Sequence, residues 1–91
     1  MSREADKPTT SGEEAAEAKT ISAERRLFAE NFRQARIAAG LSQTDVHERT
    51  GLAQSYISEV ETCISNPSLE IMVKLANAVG VPLHELLKPK A

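Results

Sequence analysis

The sequence predicts an all-α fold of five short helices, and three observations support this class. The chain has 91 residues, which is room for one domain. It is 41% hydrophobic but only 3% aromatic, so aliphatic side chains must build the core, which suits packed helices better than a β-sandwich. Apolar residues recur every three or four residues in several segments bounded by capping residues and glycines.

The first 21 residues differ in composition from the rest, which predicts a flexible acidic tail ahead of one domain at 22–91. The tail contains Pro8 and Gly12 and almost no large apolar side chain before Ile21, so it has little to contribute to a core. It holds three basic and five acidic side chains, whereas the remaining residues hold eight of each. The net charge of −2 therefore belongs to the tail, and the domain is neutral.

Two helices are predicted between Ser22 and Gly51. The first begins after Ser22, which can cap it, and closes at Gly40. Its apolar positions fall at helical spacing: Leu27, Phe28, Phe32, Ala35 and Ala39. Ser42 caps the second helix with Asp45 three residues later, an arrangement close to a capping box, and Gly51 ends it.

Three further helices are predicted after Gly51. The third runs from about Gln54 to Thr62, and the fourth lies between its cap Ser68 and Gly80. The inward positions are Ile57 and Val60 in the third helix, and Leu69, Met72, Leu75, Ala76 and Val79 in the fourth. The segment VPLHELL predicts a short fifth helix with Pro82 in its first turn, where a missing N–H costs nothing.

The sequence lacks the patterns expected of disulfide-stapled, membrane-spanning or catalytic proteins. Its single cysteine, Cys63, cannot form an intramolecular disulfide, and no apolar run approaches the roughly 20 residues that span a bilayer. His47 and His84 lie far apart, with no glycine-rich phosphate loop, no paired metal-ligand spacing and no nucleophile beside an evident base. We therefore expect a cytoplasmic protein that is not an enzyme and has no cofactor, metal or membrane contact.

Segments spanning four helices resemble the Cro/C1-type repressor family, also called the Xre family. RQARIAAGLSQTDV is similar to that family's first two helices, SYISEVE to its recognition helix and NPSLEIMVKLANAVGV to its fourth helix. The resemblance covers residues 25 to about 87 and implies a compact, lambda-repressor-like, helix-turn-helix DNA-binding domain. It also implies a sequence-specific transcriptional regulator of a bacterium or phage, located at the nucleoid, with double-stranded DNA as its partner.

The resemblance assigns base contacts to Gln54, Ser55 and Glu59, at the start and on the outer face of the recognition helix. A glutamine amide donates and accepts together, so Gln54 can pair with the N6 and N7 atoms of adenine without positive charge. This explains how a recognition helix with no basic residue can read DNA. Glu59 either accepts from a cytosine amino group or points to solvent.

By the same resemblance, contacts to the DNA backbone are expected from Gln43, Thr62, Asn66, Ser65 and Arg36. Gln43 stands at the start of the second helix, where the helix dipole favours a phosphate. Arg36 is expected to pair with Glu61, which would fix the recognition helix against the first helix and hold a guanidinium near a phosphate. The alternative for this pair is an ordinary surface ion pair.

A homodimer bound to a palindromic operator is expected. A neutral domain with few phosphate contacts binds one half-site weakly, and two symmetric halves add their binding free energies. The resemblance places the self-contact in residues 80–87, whose apolar side chains exceed what a short helix can bury against a small core. The residues concerned are Val81, Leu83, Leu86 and Leu87.

Four positions depart from the family pattern. His47 replaces a preferred alanine, which we interpret as a tolerated substitution rather than a pH switch. Ala53 replaces the usual Ser or Thr cap of the recognition helix, at a cost of about 1 kcal/mol. Cys63 replaces a glycine, where a positive φ costs roughly 1 kcal/mol, and Ile64 replaces a basic residue. A passive cysteine is favoured over a redox sensor because no basic cluster would lower the thiol pKa.

Two other roles are open to a chain of this kind. In an antitoxin, the acidic tail would bind a protein partner while the domain represses its own operon, since disordered arms often fold on a partner. A controller of restriction-modification genes is the second role, because this compact single-domain form also resembles such proteins.

Overall fold

The computed structural model describes residues 20–89, so most of the predicted tail lies outside the described residues. Within this range the chain forms five helices and no strand, which confirms the all-α class. They are α1 (Ala23–Ala38), α2 (Gln43–Thr50), α3 (Gln54–Glu61), α4 (Leu69–Val79) and α5 (Leu83–Leu86). In this part of the chain, no helix is long and apolar enough to cross a membrane.

The helices begin and end where short-range signals place them. The Ser22 hydroxyl accepts from the Arg25 N–H at 3.1 Å, and Ser68 accepts likewise from Ile71 at 3.2 Å. Gly51 closes α2 with a φ of 78°, a left-handed conformation that glycine adopts without steric cost. These caps satisfy backbone groups that a helix end leaves unpaired, which is why the ends are predictable from sequence.

A full capping box begins α2, as the spacing of Ser42 and Asp45 predicts. The Asp45 N–H donates to the Ser42 hydroxyl at 3.0 Å, and the Ser42 N–H donates to a carboxylate oxygen of Asp45 at 2.8 Å. The backbone hydrogen bond from Ser42 holds the pKa of Asp45 below its usual value of 3.8, and the Ser42 side chain lowers this pKa further. The charged form of Asp45 is therefore the form that stabilises α2.

This depressed pKa predicts an acid-dependent loss of stability. Because the unfolded chain binds the proton more tightly, the contribution of Asp45 is present above its unfolded pKa and is lost as the pH falls through the folded pKa. Thermal melts between about pH 6 and pH 2 should show a smaller acid loss in Asp45→Asn than in the parent. Glu48→Gln, an exposed change on the same helix, is the control. Equal acid losses in Asp45→Asn and the parent would contradict the prediction.

The core lies where all five helices meet. α1 packs against α3, α4 and α5, and α2 packs against α3 and α4. The rings of Phe28 and Phe32 stack with centroids 5.9 Å apart and nearly parallel planes. The largest fully buried side chains are Phe28, Phe32, Val46, Ile57, Val60 and Leu75. This arrangement buries the inner face of α3 and leaves its N-terminal residues, Gln54 and Ser55, exposed.

Three details differ from the helical pattern in the sequence. Leu69 is 64% exposed rather than part of the α4 stripe, because it is the first residue of α4 and the core meets the second half of that helix. Ala39 is exposed because α1 has already ended at Ala38. Pro82 is the residue that precedes α5 rather than a member of its first turn.

Candidate nucleic-acid interface

The turn between α2 and α3 is fixed by hydrogen bonds on both sides of Gly51. The Thr50 hydroxyl donates to the carbonyl of Val46 at 2.8 Å and accepts from the N–H of Leu52 at 3.1 Å. His47 is exposed, and its Nδ1 lies 2.8 Å from the carbonyl oxygen of Leu52. The imidazole therefore turns outward, and the crossing of the two helices does not have to accommodate it.

The start of α3 is uncapped and exposed. Ala53 makes no side-chain hydrogen bond to the helix, as its residue type predicts. Gln54 and Ser55 follow it on the exposed end, while Ile57 and Val60 face the core. Two of the three predicted base-contacting residues thus lie together at the N-terminal end of the helix, the end that reads bases in helix-turn-helix proteins.

A buried ion pair joins α1 to the end of α3. Arg36 Nε and Nη2 donate to the two carboxylate oxygens of Glu61 at 2.7 and 3.1 Å, a bidentate geometry. Arg36 Nη1 donates to the carbonyl of Leu41 at 2.8 Å, and Gln43 Nε2 donates to Glu61 Oε1 at 3.1 Å. The Arg36 and Glu61 side chains are only 11% and 2% exposed. The contact is therefore a buried support and not an ordinary surface ion pair.

This burial changes the expected role of Arg36. Three guanidinium nitrogens donate within the chain, so little of the group is left for a phosphate. The geometry favours a supporting role for Arg36 over a DNA backbone contact. Gln43 also belongs to this network, and only its second amide N–H remains for a phosphate. A more exposed cation nearby is Arg33, whose Nε lies 3.9 Å from Glu61 Oε1.

The loop after α3 has its own set of contacts. Cys63 adopts a φ of 62°, the left-handed value that the family's usual glycine predicts. The Ser65 hydroxyl donates to Glu59 Oε1 at 2.6 Å, and the Thr62 hydroxyl donates to the carbonyl of Ser58 at 2.9 Å. Both hydroxyl hydrogens are thus used inside the chain. Asn66 is exposed, and its side chain makes no hydrogen bond to the residues that the structure describes.

Arg25 is a functional candidate that the sequence did not reveal. Its Nη2 donates to the carbonyls of Cys63 at 3.1 Å and Ser65 at 3.3 Å. These partners lie 38 and 40 residues away along the chain. Arg25 lies in the first turn of α1, and the residues near it in the sequence do not indicate a contact with a loop so far along the chain.

The predicted self-contact segment is partly used by the subunit itself. Leu86 is only 3% exposed and belongs to the core, so the expectation that it is left over for a second subunit is wrong. Asn31 Nδ2 donates to the carbonyls of Leu86 and Lys88 at 3.0 and 2.9 Å, which joins α5 and the residues after it to α1. Three side chains of the segment stay half-buried: Val81, Leu83 and Leu87.

A helix-turn-helix family model matches residues 32–86, which include all of α2, α3 and α4. The chain belongs to the Cro/C1, or Xre, type of helix-turn-helix transcriptional regulators. This regulator is 38% identical over 65 residues to the HTH-type transcriptional regulator y4dJ of Sinorhizobium fredii, covering 71% of the chain and 84% of that protein. It is 31% identical to SinR of Bacillus subtilis but spans only 59% of SinR.

Solved structures show the same fold. The regulator superposes on the restriction-modification controller protein C.AhdI from Aeromonas hydrophila with a TM-score of 0.66 and 37% identity, covering 71% of this chain and 98% of that one. It superposes on the transcription factor NHTF from Neisseria with a TM-score of 0.68 and 34% identity, covering 77% and 88%. The likeness to C.AhdI extends over nearly the whole of that solved chain.

Proposed function

We propose that this regulator binds a palindromic DNA operator as a homodimer, with α3 in the major groove of each half-site. The observation that carries the proposal is the combination of an exposed α3 N-terminus with a buried C-terminus. Gln54 and Ser55 face solvent, while the Arg36–Glu61 pair holds the other end of α3 against α1. A helix presented in this way can enter a groove without losing its support.

Base reading in this arrangement depends on neutral and acidic groups. The Gln54 amide can bond N6 and N7 of an adenine, and Glu59 can accept from a cytosine amino group. Contacts with the DNA backbone are assigned to Asn66 and to the remaining side-chain N–H of Gln43, and the dipole of α2 favours a phosphate beside Gln43. Few phosphate contacts come from each subunit, so a single half-site is bound weakly.

We infer the dimer from this weak half-site binding and from three partly exposed apolar side chains in and beside α5. Val81, Leu83 and Leu87 are each only half-buried by their own subunit. A second copy can cover them and double the DNA contacts, which multiplies the affinity. We expect two subunits per duplex when the mass of the specific complex is measured by native mass spectrometry or light scattering. A specific complex with one subunit per duplex would contradict the dimer.

The experiment that tests the proposal is selection of bound sequences from a random duplex pool by the full chain. We expect an enriched sequence with inverted symmetry, bound at least tenfold more tightly than a scrambled duplex at the same salt concentration, since each mismatched pair costs about 1 to 3 kcal/mol. Enrichment of no sequence, or of one without symmetry, would count against the proposal. Salt must be fixed because phosphate binding changes steeply with it.

A controller of restriction-modification genes is the second candidate, favoured by the near-complete coverage of C.AhdI at 37% identity. In that case the selected sequence should occur beside restriction-modification genes adjacent to the gene of this regulator. The antitoxin role depends on the acidic tail, which lies outside the described residues except for its last two. It predicts a protein partner that co-purifies with the full chain and is lost when residues 1–21 are deleted.

A further inference from the structure

The side chain of Glu59 is held by the loop that follows α3. We propose that Ser65, itself held by Arg25, orients Glu59 for base reading and so sets the preference at one base pair of each half-site. This inference rests on the proposed function, in which α3 enters the major groove. It assigns to Arg25 and Ser65 a positioning role that acts through Glu59 rather than through any contact with DNA.

The contact between Ser65 and Glu59 is short and directional. The Ser65 hydroxyl donates to Glu59 Oε1 at 2.6 Å, within the range of a hydrogen bond to a charged acceptor. Among residues 20–89, Glu59 Oε2 has no hydrogen-bond partner, so one carboxylate oxygen remains for the amino group of a cytosine. A free glutamate would lose rotamer freedom when it met a base, and a glutamate already held loses less.

The backbone of the loop is folded onto the same residue. The N–H groups of Ile64 and Ser65 both donate to the carbonyl of Glu59, at 2.8 and 3.2 Å. This loop conformation requires a left-handed backbone at Cys63, which residues other than glycine adopt only at an energetic cost. The loop therefore needs a further contact to hold it in place.

Arg25 supplies that contact from α1. Its Nη2 donates to the carbonyls of Cys63 and Ser65, so one guanidinium group spans the strained residue and the residue that holds Glu59. Hydrogen bonds from a charged donor are stronger than those between neutral groups. Two hydrogen bonds therefore connect Arg25 to Glu59: Arg25 donates to the Ser65 carbonyl, and the Ser65 hydroxyl donates to the Glu59 carboxylate. Loss of either link should release the carboxylate.

The family resemblance suggested that Ser65 contacts a phosphate, and that role predicts a different result from the positioning role proposed here. A phosphate contact contributes equally to every duplex, so its loss weakens cognate and altered duplexes alike. A positioning contact changes the ratio of affinities at one base pair and leaves the others unchanged. A purely structural role lowers the unfolding temperature without altering any ratio of affinities.

The test measures base preference at every position of the half-site that the parent protein selects from a random duplex pool. Ser65→Ala and Arg25→Ala should each reduce the preference at one and the same base pair about tenfold, the size of a single base contact. Glu59→Ala should lose the preference at that same pair, and adding Ser65→Ala to it should cause no further loss. Ser65→Thr keeps the hydroxyl and should retain the parental preference.

Arg26→Ala is the matched control, because Arg26 is an exposed neighbour on α1 whose loss changes the charge equally. It should leave every base preference unchanged. All variants are compared below their unfolding temperatures. Ser65→Ala with parental preferences, or with equal weakening on all duplexes, would overturn the positioning role. A parent protein that selects no sequence would instead overturn the proposed function itself, and a Glu59→Ala variant with unchanged preferences would remove Glu59 as a reader.

Discussion

Glu61→Ala is expected to lower the free energy of unfolding by about 3 kcal/mol, because removing one partner of a buried ion pair leaves the other charge without compensation. Glu61 is only 2% exposed and accepts two hydrogen bonds from Arg36 and one from Gln43. After the change, the carbonyl of Leu41 would be the one remaining hydrogen-bond partner of the Arg36 guanidinium among residues 20–89. Urea unfolding followed by circular dichroism measures the loss.

Two further variants show whether the buried charge causes this loss. The double change Arg36→Met with Glu61→Leu should be more stable than Glu61→Ala alone, since it leaves no charge unpaired. Glu85→Ala removes a carboxylate whose pair with Lys88, at 3.0 Å, lies at the surface, and stability should change little. A Glu61→Ala variant as stable as Glu85→Ala would show that the pair does not support α3.

Gln54→Ala should weaken binding to the selected operator by about 1 to 3 kcal/mol and relax the preference at one base pair per half-site, because it removes a bidentate base contact. Gln54 is exposed, and in the described part of the chain its side chain makes no hydrogen bond. The fold should therefore be unaffected, which a thermal melt can verify. Titrations with operator and scrambled duplexes at one salt concentration measure the change in their ratio.

The best comparison for Gln54→Ala is Asn66→Ala. Asn66 is an exposed loop residue, and the proposed function gives it a contact with the DNA backbone. Its loss should weaken binding to both duplexes alike and leave their ratio nearly unchanged. Gln43→Ala is a poorer comparison, because Gln43 donates to buried Glu61 and its loss would also disturb the support of α3. Equal weakening of both duplexes by Gln54→Ala would contradict the major-groove placement of α3.

Helix ends were predictable from the sequence, whereas contacts between distant segments were not. Ser42 and Gly51 act on backbone groups within a few residues, so their types and spacing are enough to place α2. The bonds from Arg25 to the loop and from Arg49 Nη1 to the carbonyl of Ala78, at 3.0 Å, join residues 29 to 40 positions apart. Spacing along one helix contains no information about such partners.

The apolar pattern predicted which face of a helix is inward but not how far the core extends along it. Leu69 lies on the expected face of α4 and is still exposed, whereas Leu86 was expected at an interface and is buried. The pairing of Arg36 with Glu61 was available only through the family resemblance, and the geometry adds that it is bidentate and buried. The identities of the residues did not reveal this burial, because each carries a full charge.

The contact between His47 and Leu52 fixes which ring nitrogen faces the turn between α2 and α3. A carbonyl oxygen can only accept, so Nδ1 carries the hydrogen of this contact. Nitrogen-15 NMR distinguishes the two ring nitrogens, so His47 can serve as a built-in reporter of the turn between α2 and α3. Its signals would show whether that turn keeps its shape when α3 binds DNA, without a foreign reporter group on the recognition helix.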